Sequence, residues 1–210
     1  MTEAQQRGFD AGWSRWGIDF RPGLLDLEGL FDTPGQRVLE IGFGMGQSLV
    51  AMAAAAPDTG FIGIEVHRAG VGKLLHEVEL HGLRNLRVLC HDAVEVLEHM
   101  IAPDSLDRIQ IFFPDPWHKK RHHKRRLIQP DFAALLTSRL RPGGLLHLAT
   151  DWEPYAEHML EVLNACDGLA NCSEDGTYVP RPAERPVTKF EQRGERLGHG
   201  VRDLLYRRLD

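Results

Sequence analysis

The sequence predicts an α/β fold, in which helices cover both faces of a mostly parallel sheet. Two observations carry this prediction: short apolar segments alternate with helical ones along most of the chain, and a glycine-rich turn follows the first apolar segment. Strands of a parallel sheet are buried on both faces and appear as short apolar runs, and repeated strand–helix units build such a sheet. The chain has 210 residues, which fits one domain with small appendages.

The elements follow one another in a regular order after an N-terminal arm. Residues 1–35 are polar and rich in glycine and aromatic side chains, so we expect an irregular or helical arm there and the main domain at residues 36–210. The five predicted strands are Arg37–Ile41, Phe61–Glu65, Asn85–Cys90, Leu106–Phe113 and Leu145–Thr150. The predicted helices are Gln47–Ala56, Arg68–His81, Ala93–Met100, Leu127–Leu140 and Trp152–Ala165.

An acidic residue lies at the end of every predicted strand. In an open α/β sheet the ligand binds beyond the carboxyl ends of the strands, so these positions are where function is expected. A run of five such acids predicts a crevice lined by carboxylates. The five residues are Glu40, Glu65, Asp92, Asp115 and Asp151.

The turn after the first strand, Glu40–Gly46, reads Glu-Ile-Gly-Phe-Gly-Met-Gly. Glycines permit a tight turn and let the backbone approach a ligand closely. The dinucleotide pattern G-x-G-x-x-G fails because its last position falls on Gln47, and the phosphate-loop pattern fails because Leu74 follows Gly72-Lys73. The G-x-G-x-G form after an acid resembles motif I of class I methyltransferases. We therefore expect S-adenosylmethionine to bind here, against the alternative of a turn without a ligand, at Glu40, Gly42, Gly44 and Gly46.

Two further acids suit a nucleoside cofactor. Glu65 ends the second predicted strand, the usual place for a carboxylate that accepts both ribose hydroxyls. Asp92 ends the third, where it could accept a hydrogen bond from the adenine amino group. A carboxylate also complements the sulfonium cation of S-adenosylmethionine. Either acid alone is typical of a solvated strand end, and it is their combination that favours a nucleoside.

Positive charge is concentrated in one segment of an otherwise acidic chain. The formal net charge is −5, yet His118–Arg126 holds six lysines and arginines and no acid. Such a segment indicates local contact with phosphates, as in RNA. The predicted RNA-binding residues are Arg121, His122, His123, Lys124, Arg125 and Arg126.

The loop before this segment holds one aspartate between two prolines. Asp115 stands between Pro114 and Pro116, which restrict the backbone around the carboxylate. Trp117 offers a flat face for stacking on a base, and Lys119 a cation for the substrate. The alternative is a proline-stiffened loop followed by a solvated, charged helix start.

Two other functions remain open at this point. The motif [DNS]-P-P-[YFW] marks enzymes that methylate exocyclic amino groups of adenine or cytosine, but the order here is Pro-Asp-Pro-Trp. A non-enzymatic alternative is an RNA-binding protein with a vestigial cofactor site.

Targeting segments and metal sites find no support in the sequence. Residues 1–17 lack the apolar region of a signal peptide, and the longest apolar run, Leu49–Ala56, is too short to span a membrane. The three cysteines have no C-x-x-C spacing, and His76 and His81 are five residues apart, whereas a zinc-protease helix needs four. We expect a cytoplasmic protein that binds neither a membrane nor a metal.

Taken together, these segments resemble the bacterial tRNA (guanine-N7)-methyltransferases. The resemblance runs from about Phe31 to the C-terminus, and its most specific parts are the Phe-Pro-Asp-Pro-Trp-His-Lys-Lys-Arg-His and Pro-Val-Thr-Lys-Phe-Glu runs. The segments that carry it are 39–46, 63–67, 91–93, 112–126, 150–153, 178–182 and 185–191.

The resemblance implies a class I (Rossmann-like) methyltransferase fold with a mostly parallel seven-stranded sheet, and methylation of guanine N7 at position 46 of the tRNA variable loop. By matching positions, Glu40, Glu65, Asp92 and Asp115 would contact S-adenosylmethionine, with Asp115 as the active-site aspartate. We expect a monomer. One departure is a shorter N-terminal region than many family members carry, which puts the contribution of that region to tRNA binding in doubt. The substrate-binding residues would be Lys119, Asp151, Thr188, Lys189, Phe190 and Glu191.

Overall fold

The computed structural model describes residues 1–32, 34–187, 191 and 200–210. Within them the strands are β1 Gly17–Ile18, β2 Arg37–Ile41, β3 Gly60–Ile64, β4 Leu86–Leu89, β5 Leu106–Phe112, β6 Leu140–Thr150, β7 Leu169–Asn171 and β8 Arg202–Arg208. The α-helices are α1 Glu3–Trp16, α2 Gln47–Ala55, α3 Arg68–Leu80, α4 Ala93–His99, α5 Pro130–Arg139 and α6 Glu153–Asn164, with a 3₁₀ helix at Lys120–Arg125.

The strands form one mixed sheet in the order β1-β4-β3-β2-β5-β6-β8-β7. All pairs from β1 to β6 are parallel, whereas β8 runs antiparallel to both β6 and β7. The α/β prediction with a mostly parallel sheet is thus confirmed. The described residues contribute eight strands where seven were expected, because Gly17–Ile18 of the arm pairs with Val88 and Leu89 at the edge of the sheet.

Helices cover both faces of the sheet, as predicted. One apolar cluster joins alternate strand residues such as Leu39 and Ile62 to α4, α5 and α6, and a second joins Val38 and Phe61 to α1, α2 and α3. Side chains of successive strand residues point to opposite faces, so each central strand feeds both clusters. This explains why Arg37–Ile41 is buried along its whole length.

Two predicted boundaries differ from the structure. The helix expected from Leu127 begins at Pro130, because a 3₁₀ helix and the extended cap residue Gln129 precede it. The strand expected from Leu145 begins at Leu140 and pairs with Leu106 before its register shifts in the Arg141–Gly144 segment. The remaining predicted strands and helices agree with the structure to within one or two residues at each end.

The N-terminal arm is mostly helical and packs closely on the domain. Helix α1 lies against α3, where a Cβ added to Gly8 would meet the Gly72 carbonyl oxygen at 2.3 Å and one added to Gly72 would meet that of Gln5 at 2.0 Å. Glycines therefore let the two backbones approach at this crossing. In the part of the chain described here, no helix is both long and apolar enough to cross a membrane.

Candidate active site

The glycine turn between β2 and α2 adopts a conformation that side chains disfavour. Gly42, Gly44 and Gly46 have φ angles of +74°, +57° and +76°. A Cβ at Gly42 or Gly44 would meet no atom within 4 Å, whereas one at Gly46 would lie 2.3 Å from the Leu74 side chain. Two glycines thus border open space at the carboxyl end of β2, and the third packs against α3.

Glu65 is fixed beside this turn by backbone hydrogen bonds. Its Oε2 accepts from the Gly44 N–H and its Oε1 from the His67 N–H, both at 2.9 Å. The residue is 6% exposed. Because both oxygens are already held by the backbone, the carboxylate keeps one orientation next to the open side of the glycine turn.

Glu40 is the most deeply buried of the five predicted acids. It is 3% exposed, and its Oε2 accepts a hydrogen bond of 2.7 Å from Nε2 of Gln110 on β5. Burial raises the pKa of Glu40 to about 7, although the bond from Gln110 opposes the shift. The carboxyl group therefore changes charge near neutral pH, and a cation beside it would favour the ionised form.

Asp92 lies beyond the carboxyl end of β4 and caps helix α4. It is exposed, and its Oδ1 accepts from the backbone N–H groups of Val94 and Glu95 at 2.9 and 3.3 Å. The neighbouring His91 ring is stacked on Phe20 of the arm, with the centroids 3.9 Å apart. The arm thus contacts the residue that precedes Asp92, a contact that sequence reasoning did not find because no motif links Phe20 and His91.

The loop after β5 is strained on both sides of Asp115. Phe113 and Trp117 have φ angles of +51° and +46°, which are uncommon for residues other than glycine. Asp115 is exposed, and its Oδ1 accepts from the Trp117 N–H at 3.0 Å. Strained backbone of this kind persists only where its surroundings hold it, and it is often found at functional sites.

The basic segment separates into exposed and buried members. Arg121, Lys124 and Arg125 are exposed, and the Arg125 guanidinium lies 5.1 Å from the ring centroid of Trp117. His122 and His123 are half-buried.

Arg126 differs from its basic neighbours in being buried, and its predicted contact with RNA stays a prediction. It is 4% exposed and donates to the carbonyl oxygens of Pro116 and Pro154, at 3.0 and 3.4 Å. Its guanidinium also covers the ring of Tyr155 at 4.9 Å. The side chain thus stabilises the loop that carries Asp115 through its bond to Pro116.

The predicted substrate residues fall into three groups. Lys119 and Asp151 are exposed, Asp151 directly after β6. Glu191 is 4% exposed and accepts two hydrogen bonds from Arg185, and its predicted role in substrate binding stays a prediction. Thr188, Lys189 and Phe190 lie outside the described residues.

Comparison with known proteins assigns the family. The model of a family described as "Putative methyltransferase" matches residues 35–204. Curated proteins named tRNA (guanine-N(7)-)-methyltransferase are 61% identical in Ectopseudomonas mendocina and 60% in Pseudomonas paraeruginosa, over 100% of this chain and 88% and 86% of theirs. The chain belongs to the tRNA (guanine-N7)-methyltransferase family.

Solved structures outside this methyltransferase family share the fold. The 16S rRNA methyltransferase KamB is 16% identical, with a TM-score of 0.65 over 93% of this chain and 100% of that one. At this identity the likeness concerns the fold alone, and it confirms the class I methyltransferase architecture.

The methyl donor of this methyltransferase family is S-adenosylmethionine, and the residues present fit such a group. Gly42 and Gly44 leave open space where other residues would place a Cβ. The hydroxyl of Ser48, in the first turn of α2, is buried without a hydrogen-bond partner among the described residues. Glu40 and Glu65 place acids beside the same turn, as a ligand with ribose hydroxyls and a sulfonium requires.

Proposed function

We propose that this protein transfers the methyl group of S-adenosylmethionine to N7 of guanine in tRNA, at position 46 of the variable loop. The observation that carries the proposal is the placement of Asp115. The aspartate stands exposed on a strained loop at the carboxyl end of β5, beside the strand that bears Glu40, and exposed cations follow it directly. The names of the relatives support guanine N7 as the acceptor.

The cofactor is held mainly by β2, β3 and β4. Glu65 would accept hydrogen bonds from the ribose hydroxyls and Asp92 one from the adenine amino group, and the glycine turn would let the backbone approach the ligand. Glu40 would complement the positively charged part of the ligand. When bound, S-adenosylmethionine supplies a methyl group activated by a positively charged sulfur.

The chain's own residues act by positioning the base. Guanine N7 carries a free lone pair, so no base has to remove a proton before attack, and orientation and electrostatics supply the rate. Asp115 and Asp151 accept hydrogen bonds from the donor groups of the guanine edge, and their negative charge offsets the positive charge that the ring acquires. Asp115 also borders the cofactor.

The tRNA backbone is held by the exposed cations after Asp115. Lys119, Arg121, Lys124 and Arg125 form a basic patch adjoining the loop, which suits phosphate contacts that fix register without reading sequence. Thr188, Lys189 and Phe190 remain proposed substrate contacts on the strength of the family resemblance. We further propose that the enzyme acts as a monomer in the cytoplasm, and its three free thiols suit a reducing compartment.

Identification of the methylated nucleoside tests the proposal. The protein is incubated with tRNA and S-adenosylmethionine, the RNA is digested, and the nucleosides are separated by mass spectrometry. We expect 7-methylguanosine from a transcript with guanine at position 46 and none when adenine stands there. Methylated adenine or cytosine would instead favour an amino-methyltransferase, and a lack of saturable binding of S-adenosylmethionine in calorimetry would favour an RNA-binding protein without a working cofactor site.

A further inference from the structure

A buried cluster of ionisable side chains adjoins the strand end that leads to Asp115. Arg185 is 1% exposed and donates to both oxygens of Asp203, from Nε at 2.7 Å and from Nη2 at 2.9 Å. It also donates to both oxygens of Glu191, at 2.8 and 2.7 Å. His147 on β6 bonds Oδ1 of Asp203 through Nε2 at 2.7 Å.

The protonation states follow from burial and from these bonds. Burial lowers the pKa of His147, although Asp203 opposes the shift, which favours the neutral ring, whose Nε2–H donates a hydrogen bond to Asp203. Burial alone would raise the pKa of Asp203, but the bonds from His147 and Arg185 lower it. Burial alone would lower the pKa of Arg185, but Glu191 and Asp203 raise it. One arginine cation is thus held between two carboxylates inside the protein.

Stability alone does not account for such a cluster. Removing charges from water costs about as much as their attraction returns, and apolar side chains of similar volume are often no less stable in their place. A fixed guanidinium does provide one thing that an apolar core does not, which is a planar cation in one orientation. The groups that the Arg185 guanidinium contacts therefore indicate what this fixed cation supports.

Arg185 lies against the two aromatic residues that precede the Asp115 loop. Its guanidinium carbon is 5.9 Å from the ring centroid of Phe112 and 5.7 Å from that of Phe113. His147 meets the Phe112 ring edge-on, with centroids 4.9 Å apart. Phe113 has a left-handed φ of +51° at the point where the chain leaves the sheet toward Pro114 and Asp115. The cluster thus packs against the strained turn that directs the loop.

We propose that Arg185, fixed by Asp203 and His147, is a positioning residue that supports the turn at Phe113 and thereby orients Asp115. The inference rests on the proposed function, in which Asp115 borders the reacting guanine. A displacement of about 1 Å at a catalytic group is enough to reduce turnover about 100-fold, so a residue that does not touch the substrate can control the rate.

The test compares two buried arginines. Arg185→Lys keeps the charge but loses the paired hydrogen bonds and the planar face. Arg37→Lys is the matched control, because Arg37 is equally buried but lies at the amino end of β2, far along the strand from the glycine turn. Calorimetry with S-adenosylmethionine counts the folded sites in each preparation, and turnover on tRNA is expressed per binding site.

We expect Arg185→Lys to lower kcat per site at least about tenfold while the Kd for S-adenosylmethionine changes less than about twofold. Arg37→Lys should lower the melting temperature and leave kcat per site unchanged. If Arg185→Lys does not fold, Phe113→Leu is measured in its place. This variant removes the Phe113 ring that Arg185 contacts, and it should lower kcat per site about threefold or more. Turnover per site within twofold of the wild type in the folded variants overturns the proposal.

Amide hydrogen exchange separates this inference from the proposed function. The Trp117 N–H, which donates to Asp115, should exchange faster in Arg185→Lys than in the wild type and in Arg37→Lys. Faster exchange in a protein that forms no 7-methylguanosine supports the positioning role and contradicts the proposed function. Unchanged exchange, in a wild-type enzyme that is active, contradicts the positioning role alone.

Discussion

The two halves of the proposed site both use acids at the ends of strands, but in opposite surroundings. The proposed cofactor half contains Glu40, Glu65 and the glycine turn, and the proposed substrate half contains Asp115, Asp151 and the basic segment. Glu40 and Glu65 are nearly fully buried and accept hydrogen bonds from the protein itself. Asp115 and Asp151 are exposed, and a basic segment follows the first of them. In this proposal the small cofactor meets a preformed site, whereas the exposed charges of the substrate half gain their partners when the RNA binds.

The largest effect should come from the substrate half. In Asp115→Asn the side-chain oxygen can still accept from the Trp117 N–H, but the negative charge is lost. We expect kcat to fall about 10³-fold, since electrostatic stabilisation in a preorganised site is typically worth this much. Calorimetry should show that the Kd for S-adenosylmethionine changes by less than about fivefold. A variant with near-normal turnover would show that Asp115 does not act on the reacting base.

The next effect should come from the buried acid of the cofactor half. Below pH 4.5 Glu40 is protonated in both the folded and the unfolded chain, and above about 7 it is ionised in both. Between these values only the unfolded chain loses the proton, so stability falls as the pH rises. The free energy of unfolding of Glu40→Gln lacks this pH dependence. In the absence of cofactor, its difference from that of the wild type should therefore shift in favour of the variant by up to about 3 kcal/mol as the pH rises from 4.5 to 8.

Urea denaturation of both proteins at pH 5 and pH 8 measures this difference. All other ionisable groups are common to the two proteins, so their contributions largely cancel. A stability difference that stays the same at both pH values would mean that Glu40 keeps an ordinary pKa, and that the contrast in burial between the two halves has no electrostatic consequence.

How far the site could be predicted depends on whether its contacts are local in sequence. The position of Glu65 and the glycine turn follow from strand ends and glycine spacing, which a sequence displays directly. The Glu40–Gln110 bond requires the pairing of β2 with β5, which joins residues 70 positions apart. The burial of Arg126 in a basic run depends on the Pro116 carbonyl and the Tyr155 ring, and nothing in the composition of the run distinguishes it from Arg125.

The same reason limits prediction of the fold. Arg37–Ile41 was predicted to the residue because parallel strands are short and apolar. No strand was predicted at Arg202–Arg208, since its Arg-Asp-Leu-Leu-Tyr-Arg-Arg sequence has no clear alternation and its partner, β6, lies more than fifty residues away. Its Asp203 then helps to bury Arg185, a residue that no motif indicated as structural.

A smaller effect should come from the fixed carboxylate of the cofactor half. Glu65→Gln leaves only one acceptor oxygen for the N–H groups of Gly44 and His67, so one of them loses its partner and the turn becomes less well ordered. We expect the Kd for S-adenosylmethionine to rise about tenfold and kcat at saturating cofactor to stay within about twofold. Asp92→Asn, at the exposed rim, is the control and should raise Kd less. Equal effects of the two variants would contradict the preformed cofactor half.

The smallest effect distinguishes the exposed from the buried cations of the basic segment. Lys124 is exposed, so Lys124→Gln should reduce the slope of log K for tRNA against log salt by about 0.7 to 0.9, the contribution of one phosphate contact, and leave the melting temperature unchanged. Arg126→Gln should lower the melting temperature and leave the salt slope unchanged. It removes the hydrogen bonds to Pro116 and Pro154 without removing a charge that contacts the RNA. Filter binding from 50 to 200 mM salt measures the slope. If Arg126→Gln flattens it as much as Lys124→Gln does while the protein melts as before, the arginine reaches the RNA after all, and the substrate half changes shape on binding.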